Sequence, residues 1–324
     1  MKKLLDYLPN KEAVSEGEDR ADMTQSPRLQ TFPKPLSERK LEDIETIATT
    51  IRDVLDDFML DRSGKKSKYR INKIILFGSH AKGTWVNDPA NGYVSDYDIL
   101  VIVNQIALVE EYEIWQAVED KVKRKVKAPL GLLVHTQKDV SDMLHQGHYF
   151  FKDIREEGIE LFSANGKELP LANHIPQEEQ VEIANKHFKI WFESSTRFLT
   201  LSQDSFKREW LNETAFLLHQ ASEHFFCCTL LVCTNYMPKT HNLEHLRSLC
   251  AQQNPEFALL FPADTKEKRR SFQRLKNAYV DGRYSEHYVI TLDELNYLAS
   301  EVETLQRITE QTCQQKIQEY QNGV

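Results

Sequence analysis

Ile71-Asn72-Lys73-Ile74-Ile75-Leu76-Phe77-Gly78-Ser79-His80-Ala81-Lys82-Gly83 and, one loop later, Ser95-Asp96-Tyr97-Asp98-Ile99-Leu100-Val101 are the stretches on which the reading of this chain turns. The apolar run 71–77, stopped by Gly78, reads as a buried strand. A strand running into Gly-Ser and then a helix start presents backbone N–H groups and a hydroxyl at a pole of partial positive charge, which suits phosphate oxygens. Gly78 lets that backbone approach closely, where a Cβ would intrude. Asp96 and Asp98 stand two apart at the start of a second strand, 98–103, so both carboxylates point to one face. Two oxygen donors on one face, opposite phosphates, make a Mg²⁺ site. A pair of such ions about 4 Å apart stabilises both the attacking and the leaving oxygen of a phosphoryl transfer. Each motif is common alone; their order on two buried strands carries the reading.

Upstream, 37–60 places Leu41, Ile44, Ile47, Ile51, Val54, Leu55 and Phe58 at three- and four-residue steps, an amphipathic helix with Ser37 as its cap. Residues 1–36 are polar and proline-bearing, a flexible lead-in, and 62–68 is a basic turn. Downstream, 110–126 reads as helix, 130–134 as a third strand, 149–156 as helical and 159–162 as a fourth strand. Helices and strands alternate over 37–165, a mixed sheet with helices. The polar stretch 166–176, with Gly166, Pro170 and Pro176, is a linker. Beyond it strand signals vanish, and 178–201, 206–233, 241–252, 265–280 and 292–318 all carry helical periodicity. The expected class is α+β: a mixed-sheet domain followed by an all-α bundle over 177–324.

The 324 residues suffice for two cores, and a formal net charge of −8 excludes a polycation built to grip nucleic acid. Lys121–Lys127 and Lys266–Arg270 are local basic clusters, read first as solvated faces and second as phosphate contacts. The run 225–233 falls short of the ~20 apolar residues that span a bilayer, so no membrane is expected. Asp6 and Asn10 interrupt the start of the chain, which argues against a signal peptide. The five cysteines lack paired ligand spacing, as in a reduced, cytoplasmic protein.

The Gly78-Ser79…Asp96-Tyr97-Asp98 pattern resembles the DNA-polymerase-β-type nucleotidyltransferases, the minimal bacterial members especially, over roughly residues 40–165. The resemblance implies Mg²⁺-dependent transfer of a nucleoside monophosphate, AMP from ATP first among them, to a hydroxyl. Gly78, Ser79, Lys82 and Gly83 would hold the nucleotide, and Asp96 and Asp98 would ligate two ions. Two departures stand out. Residues 85–93 lengthen the loop between the motifs, as a lid, an acceptor surface or a plain excursion. The family's third carboxylate has no counterpart in Leu130-Gly131-Leu132-Leu133-Val134-His135, where Gly131 takes its place. The centre then turns over slowly, borrows a base from Asp88, His135 or the acceptor, or only binds nucleotide.

In the helical half, Leu217-Leu218-His219-Gln220-Ala221-Ser222-Glu223-His224-Phe225-Phe226, Pro238-Lys239-Thr240-His241-Asn242-Leu243-Glu244-His245-Leu246 and Asn277-Ala278-Tyr279-Val280-Asp281-Gly282-Arg283-Tyr284 together resemble the HEPN domain over about 180–315. Many such domains are metal-independent ribonucleases using an Arg and a His. Arg283 and His287, i and i+4 if helical, are the matching pair, with Tyr288 or Tyr284 as a hydroxyl that a transferase would modify in a toxin–antitoxin or defence setting. The resemblance also implies a homodimer through this half. Three readings follow: a transferase acting on a protein or RNA hydroxyl, a ribonuclease with a regulatory transferase half, and a nucleotide-binding sensor.

Overall fold

The computed structural model describes residues 32–33, 35–60, 68–89 and 93–323; the lead-in and the basic turn lie almost wholly outside them. Helix α1 (Glu38–Leu60) buries Ile44, Ile47, Ile51, Val54 and Leu55 along one face, as its periodicity requires. Strand β1 (Ile71–Phe77) leads through a one-turn helix α2 (Gly78–Lys82) and a two-rung hairpin of β2 (Asn87–Asp88) and β3 (Tyr93–Val94) to β4 (Tyr97–Val103). There follow α3 (Ile106–Val109), α4 (Tyr112–Lys125), β5 (Leu130–Thr136), α5 (Gln137–His145), α6 (Tyr149–Glu157) and β6 (Ile159–Ser163). The main sheet has the order β5-β4-β1-β6, with β4 and β5 parallel and the other pairs antiparallel.

Because β4 is buried on both faces, it reads as unbroken apolar sequence after Asp98. Ile74, Leu76, Ile99, Val101 and Val103 face a core built with α1 and α4. The alternate residues Ile75, Phe77, Leu100, Ile102 and Leu133 face the other way. They belong to one continuous cluster with Phe150 and Phe151 of α6 and with the helical half of the chain.

That half comprises α7 (Gln177–Lys207), α8 (Leu211–Thr234), α9 (Leu243–Ala251), a 3₁₀ turn (Pro255–Leu259), α10 (Lys266–Asn277), a short α11 (Asp281–Tyr284) and α12 (Leu292–Asn322). Thr291 and Glu294 form a capping box that starts α12, whose Leu295, Leu298, Val302, Leu305 and Ile308 make the buried stripe that the spacing predicts. Helix α8 lies against both α7 and α12 and is apolar nearly all round. It is long and apolar enough to cross a bilayer by length and composition alone, but 72% of its apolar window is buried inside the protein. All five cysteines are free and buried, filling the core as small apolar groups.

Where the halves meet, His135 of β5 stands against Phe151 and Tyr236, and Tyr236 Oη donates to His135 Nε2 at 2.8 Å. Burial holds the His135 imidazole neutral, its pKa lowered to about 4. A histidine depressed on folding favours the native state above its unfolded pKa and withdraws that support as pH falls through the window from 6.5 to about 4. Acidification from pH 7.5 to 5 should therefore lower the melting temperature of the wild type more than that of His135→Gln. Gln keeps an acceptor for Tyr236 but has no proton to gain. The difference is on the order of 1–3 kcal/mol, and equal losses in the two proteins would refute it.

Candidate active site

The end of β1 and the start of β4 bring the two motifs together. Gly78 opens α2 at φ +69°, in the left-handed region, and a Cβ there would stand 2.5 Å from Asp98 Oδ2. The Gly78 turn and the Asp98 carboxylate are thus in direct apposition, and only glycine fits between them. The backbone of Asp96 is pinned by His80, whose Nδ1 donates to the Asp96 carbonyl at 2.9 Å while Lys40 Nζ donates to its Nε2 at 3.0 Å. Burial, with the Lys40 charge beside it, lowers the His80 pKa to about 4, so this ring is a neutral strut. Tyr97 and Trp85 sandwich it at ring separations of 4.2 and 5.8 Å.

Both carboxylates are buried, Asp98 completely. Burial first, and then the neighbouring Asp96 charge, hold the Asp98 carboxyl well above the usual range, partly offset by Gln252. Gln252 Nε2, from the end of α9, donates to Asp98 Oδ2 at 2.9 Å, while Asp98 Oδ1 has no partner.

The third corner comes from the helical half. His245 on α9 brings its Nδ1 to 3.8 Å from Asp96 Oδ2, and the ligand atoms of Asp96, Asp98 and His245 all lie within 4.8 Å of one another. Both His245 ring nitrogens are buried without a hydrogen-bond partner. In the parallel register of β4 and β5, Gly131 is the partner of Asp98. A Cβ on Gly131 would stand 2.5 Å from His245 Cε1 and 2.7 Å from Asp98 Oδ1. The strand position without a carboxylate is therefore the position that admits the imidazole. Orphaned, buried oxygen and nitrogen donors around one point fit a divalent cation.

Other expected residues fall elsewhere. Lys82 pairs with Glu157 at 2.5 Å, and both line a crevice of about 20 Å³ between Gly78 and Gln252. Gly83 caps α2 at φ +76°, its N–H bonded to the Ser79 carbonyl. His135 is not a base for this centre, because its Nε2 is committed to Tyr236 in the interface. The loop 85–93 is tied by backbone pairing across its described part. It folds into the β2–β3 hairpin and places Tyr93 beneath the buried guanidinium of Arg247, 5.6 Å from the ring centroid.

The expected second site also changes. Chain direction breaks after α11, with Ser285 extended, so Arg283 and His287 do not share a helix face. Arg283 Nε donates to the Tyr279 carbonyl, and its guanidinium lies over Phe216, Tyr279 and Tyr284. His287 instead lines a cavity of about 320 Å³ with Arg270, Arg274 and Ser285. Tyr288 is buried and its hydroxyl donates to the Arg274 carbonyl at 2.9 Å, which removes it as an accessible acceptor, whereas Tyr284 is 75% exposed. His219 is a core histidine, its Nδ1 donating to the Leu275 carbonyl at 3.0 Å and its Nε2 3.4 Å from Glu223 Oε2.

Lys121 pairs with Asp57 at 3.3 Å and Arg270 with Glu294 at 2.7 Å, so both basic clusters are partly occupied in ion pairs.

Residues 64–167 match the family described as polymerase beta, nucleotidyltransferase, and residues 188–312 match the HEPN domain. A nucleotidyltransferase-like protein from Exiguobacterium sibiricum 255-15 is similar at 13% identity, over 83% of this chain and 77% of that one, with a TM-score of 0.26. No curated protein matches the sequence significantly. The paired carboxylates against a glycine turn, and the helices that close over them, are thus those of a chain that joins a polymerase-β-type nucleotidyltransferase domain to a HEPN domain.

Proposed function

We propose that this chain is a divalent-metal-dependent nucleotidyltransferase that moves a nucleoside monophosphate, AMP from ATP, onto a hydroxyl of a protein or an RNA. One observation carries the reading: Asp96 and Asp98 turn their carboxylates to one point, with Asp98 in contact with the Gly78 turn. A cation held there by the two aspartates would neutralise charge on the triphosphate and on departing pyrophosphate. The Gly78-Ser79 backbone and the Ser79 hydroxyl receive phosphate oxygens. The crevice beside Gly78 is far smaller than the ~300–1,000 Å³ of ordinary ligand sites. Nucleotide entry accordingly displaces the Gln252 side chain, which stands 2.7 Å from the place of a Gly78 Cβ. His80, neutral, holds Asp96 in place without adding a charge that competes for its carboxylate.

The acceptor belongs to a toxin–antitoxin or defence setting by resemblance, with the helical half as the partner-facing element. The test is label transfer from each α-³²P-NTP to protein and RNA from a cell extract. Label is expected from ATP and lost in Asp96→Ala/Asp98→Ala; transfer undiminished in that variant would falsify the proposal. The ribonuclease reading is favoured by the cavity that gathers Arg270, Arg274 and His287. It predicts RNA cleavage in EDTA that vanishes in His287→Ala, and cleavage that persists there excludes it.

A further inference from the structure

We propose that the metal at this centre is a divalent transition ion, of the kind Mn²⁺ represents, bound by Asp96, Asp98 and His245 across the two halves of the chain. The inference rests on the transferase reading and adds the ion's identity and its third protein ligand.

Three observations meet on His245. It is 6% exposed, yet neither ring nitrogen has a hydrogen-bond partner, a costly state for a polar group out of water. Its ligand atom lies within 4.8 Å of those of Asp96 and Asp98, and Asp98 Oδ1 is likewise buried and unsatisfied. The neighbouring strand carries Gly131 at the register position opposite Asp98, where a Cβ would meet the imidazole.

The support behind His245 is rigid. The Asn242 side chain accepts from the Glu244 and His245 N–H groups, fixing the first turn of α9. Two residues on, buried Arg247 donates to the Leu260 carbonyl at 2.7 Å and lies against Tyr93 and Phe272. His245 is held where it stands, and one cation would satisfy both Asp98 Oδ1 and the His245 nitrogen that faces the aspartates.

The donor set decides the ion. Mg²⁺ takes oxygen ligands and keeps several waters, whereas an imidazole among carboxylates favours a transition ion. Three protein ligands leave positions open for substrate oxygen, the pattern of catalytic rather than structural sites.

The test uses the full chain, stripped of metal with EDTA and titrated with MnCl₂ or MgCl₂ alone, without nucleotide. Mn²⁺ is expected to bind at least about 10-fold more tightly than Mg²⁺. Electron spin echo of bound Mn²⁺ should carry modulation from a directly coordinated imidazole ¹⁴N. His245→Ala should remove that modulation and weaken Mn²⁺ by about 100-fold, at the upper end of what ligand-shell changes cost, with little effect on Mg²⁺. Melting curves establish that the variant is folded; should it not be, His245→Gln takes its place, and the wild-type nitrogen signal decides by itself. A Mn²⁺ complex without nitrogen modulation, or Mn²⁺ affinity unchanged in His245→Ala, overturns the inference. If Asp96→Ala/Asp98→Ala still abolishes metal binding in that case, the transferase reading stands and only the role of His245 falls. If metal binding survives the double variant too, both fall.

Discussion

Replacing Asp98 with Asn is expected to lower nucleotidyl transfer by about 10²–10³-fold, the usual cost of removing one preorganised electrostatic group, while leaving the protein no less stable. The two effects have one origin. Asp98 is fully buried beside Asp96, so burial and like charge both work against its ionised form. An amide of the same shape removes that repulsion and still offers an oxygen to Gln252 Nε2, which now donates at 2.9 Å. Stability should hold or rise while the ligand charge disappears, the trade expected of a strained functional site. Parallel measurement of transfer rate and thermal midpoint checks this, and an Asp98→Asn protein that keeps its rate contradicts it.

Gly131→Ala should destabilise the fold by about 1–3 kcal/mol, as overpacking does in a closed core. The methyl would stand 2.5 Å from an imidazole on a capped helix and 2.7 Å from a carboxylate with no free space. Neither neighbour is the loose end of a flexible chain. In Gly131→Ala/His245→Ala the second change vacates the volume that the first one fills, so the double variant should be more stable than the sum of the single effects predicts. Urea unfolding of the four proteins measures that coupling, and strict additivity would show that Gly131 and His245 do not share this space.

Much of this was legible from residues alone. Local chemistry marked the strand stopped by Gly78, the Asp96–Asp98 spacing and the five long helices, and each appears where its periodicity puts it. The missing carboxylate was also legible, as was the glycine standing in its place. His245 was not. It lies far from Asp98 in sequence, and on α9 it reads as one more polar residue among apolar neighbours. Only the parallel register of β4 and β5, with α9 laid across it, turns an absent side chain into a cavity and identifies what enters it. Gly131 was the available signal: a glycine inside an otherwise bulky strand marks close approach by another group. The Arg283–His287 pairing failed for a local reason, since Ser285 leaves the helix and aims the two side chains apart.

The sheet of the transferase half has no outer surface on its second face. Ile75, Phe77, Leu100, Ile102 and Leu133 pack into the same apolar mass as Phe225, Leu246 and Leu298. A boundary drawn through the polar segment 166–176 separates two recognisable families but cuts no seam in the interior. Leu169 and Ile175 within it are themselves buried. The halves are therefore not interchangeable modules tied by a tether. A graft that set this sheet on an unrelated partner would inherit an unmatched greasy face and lose the imidazole beside Asp96 and Asp98.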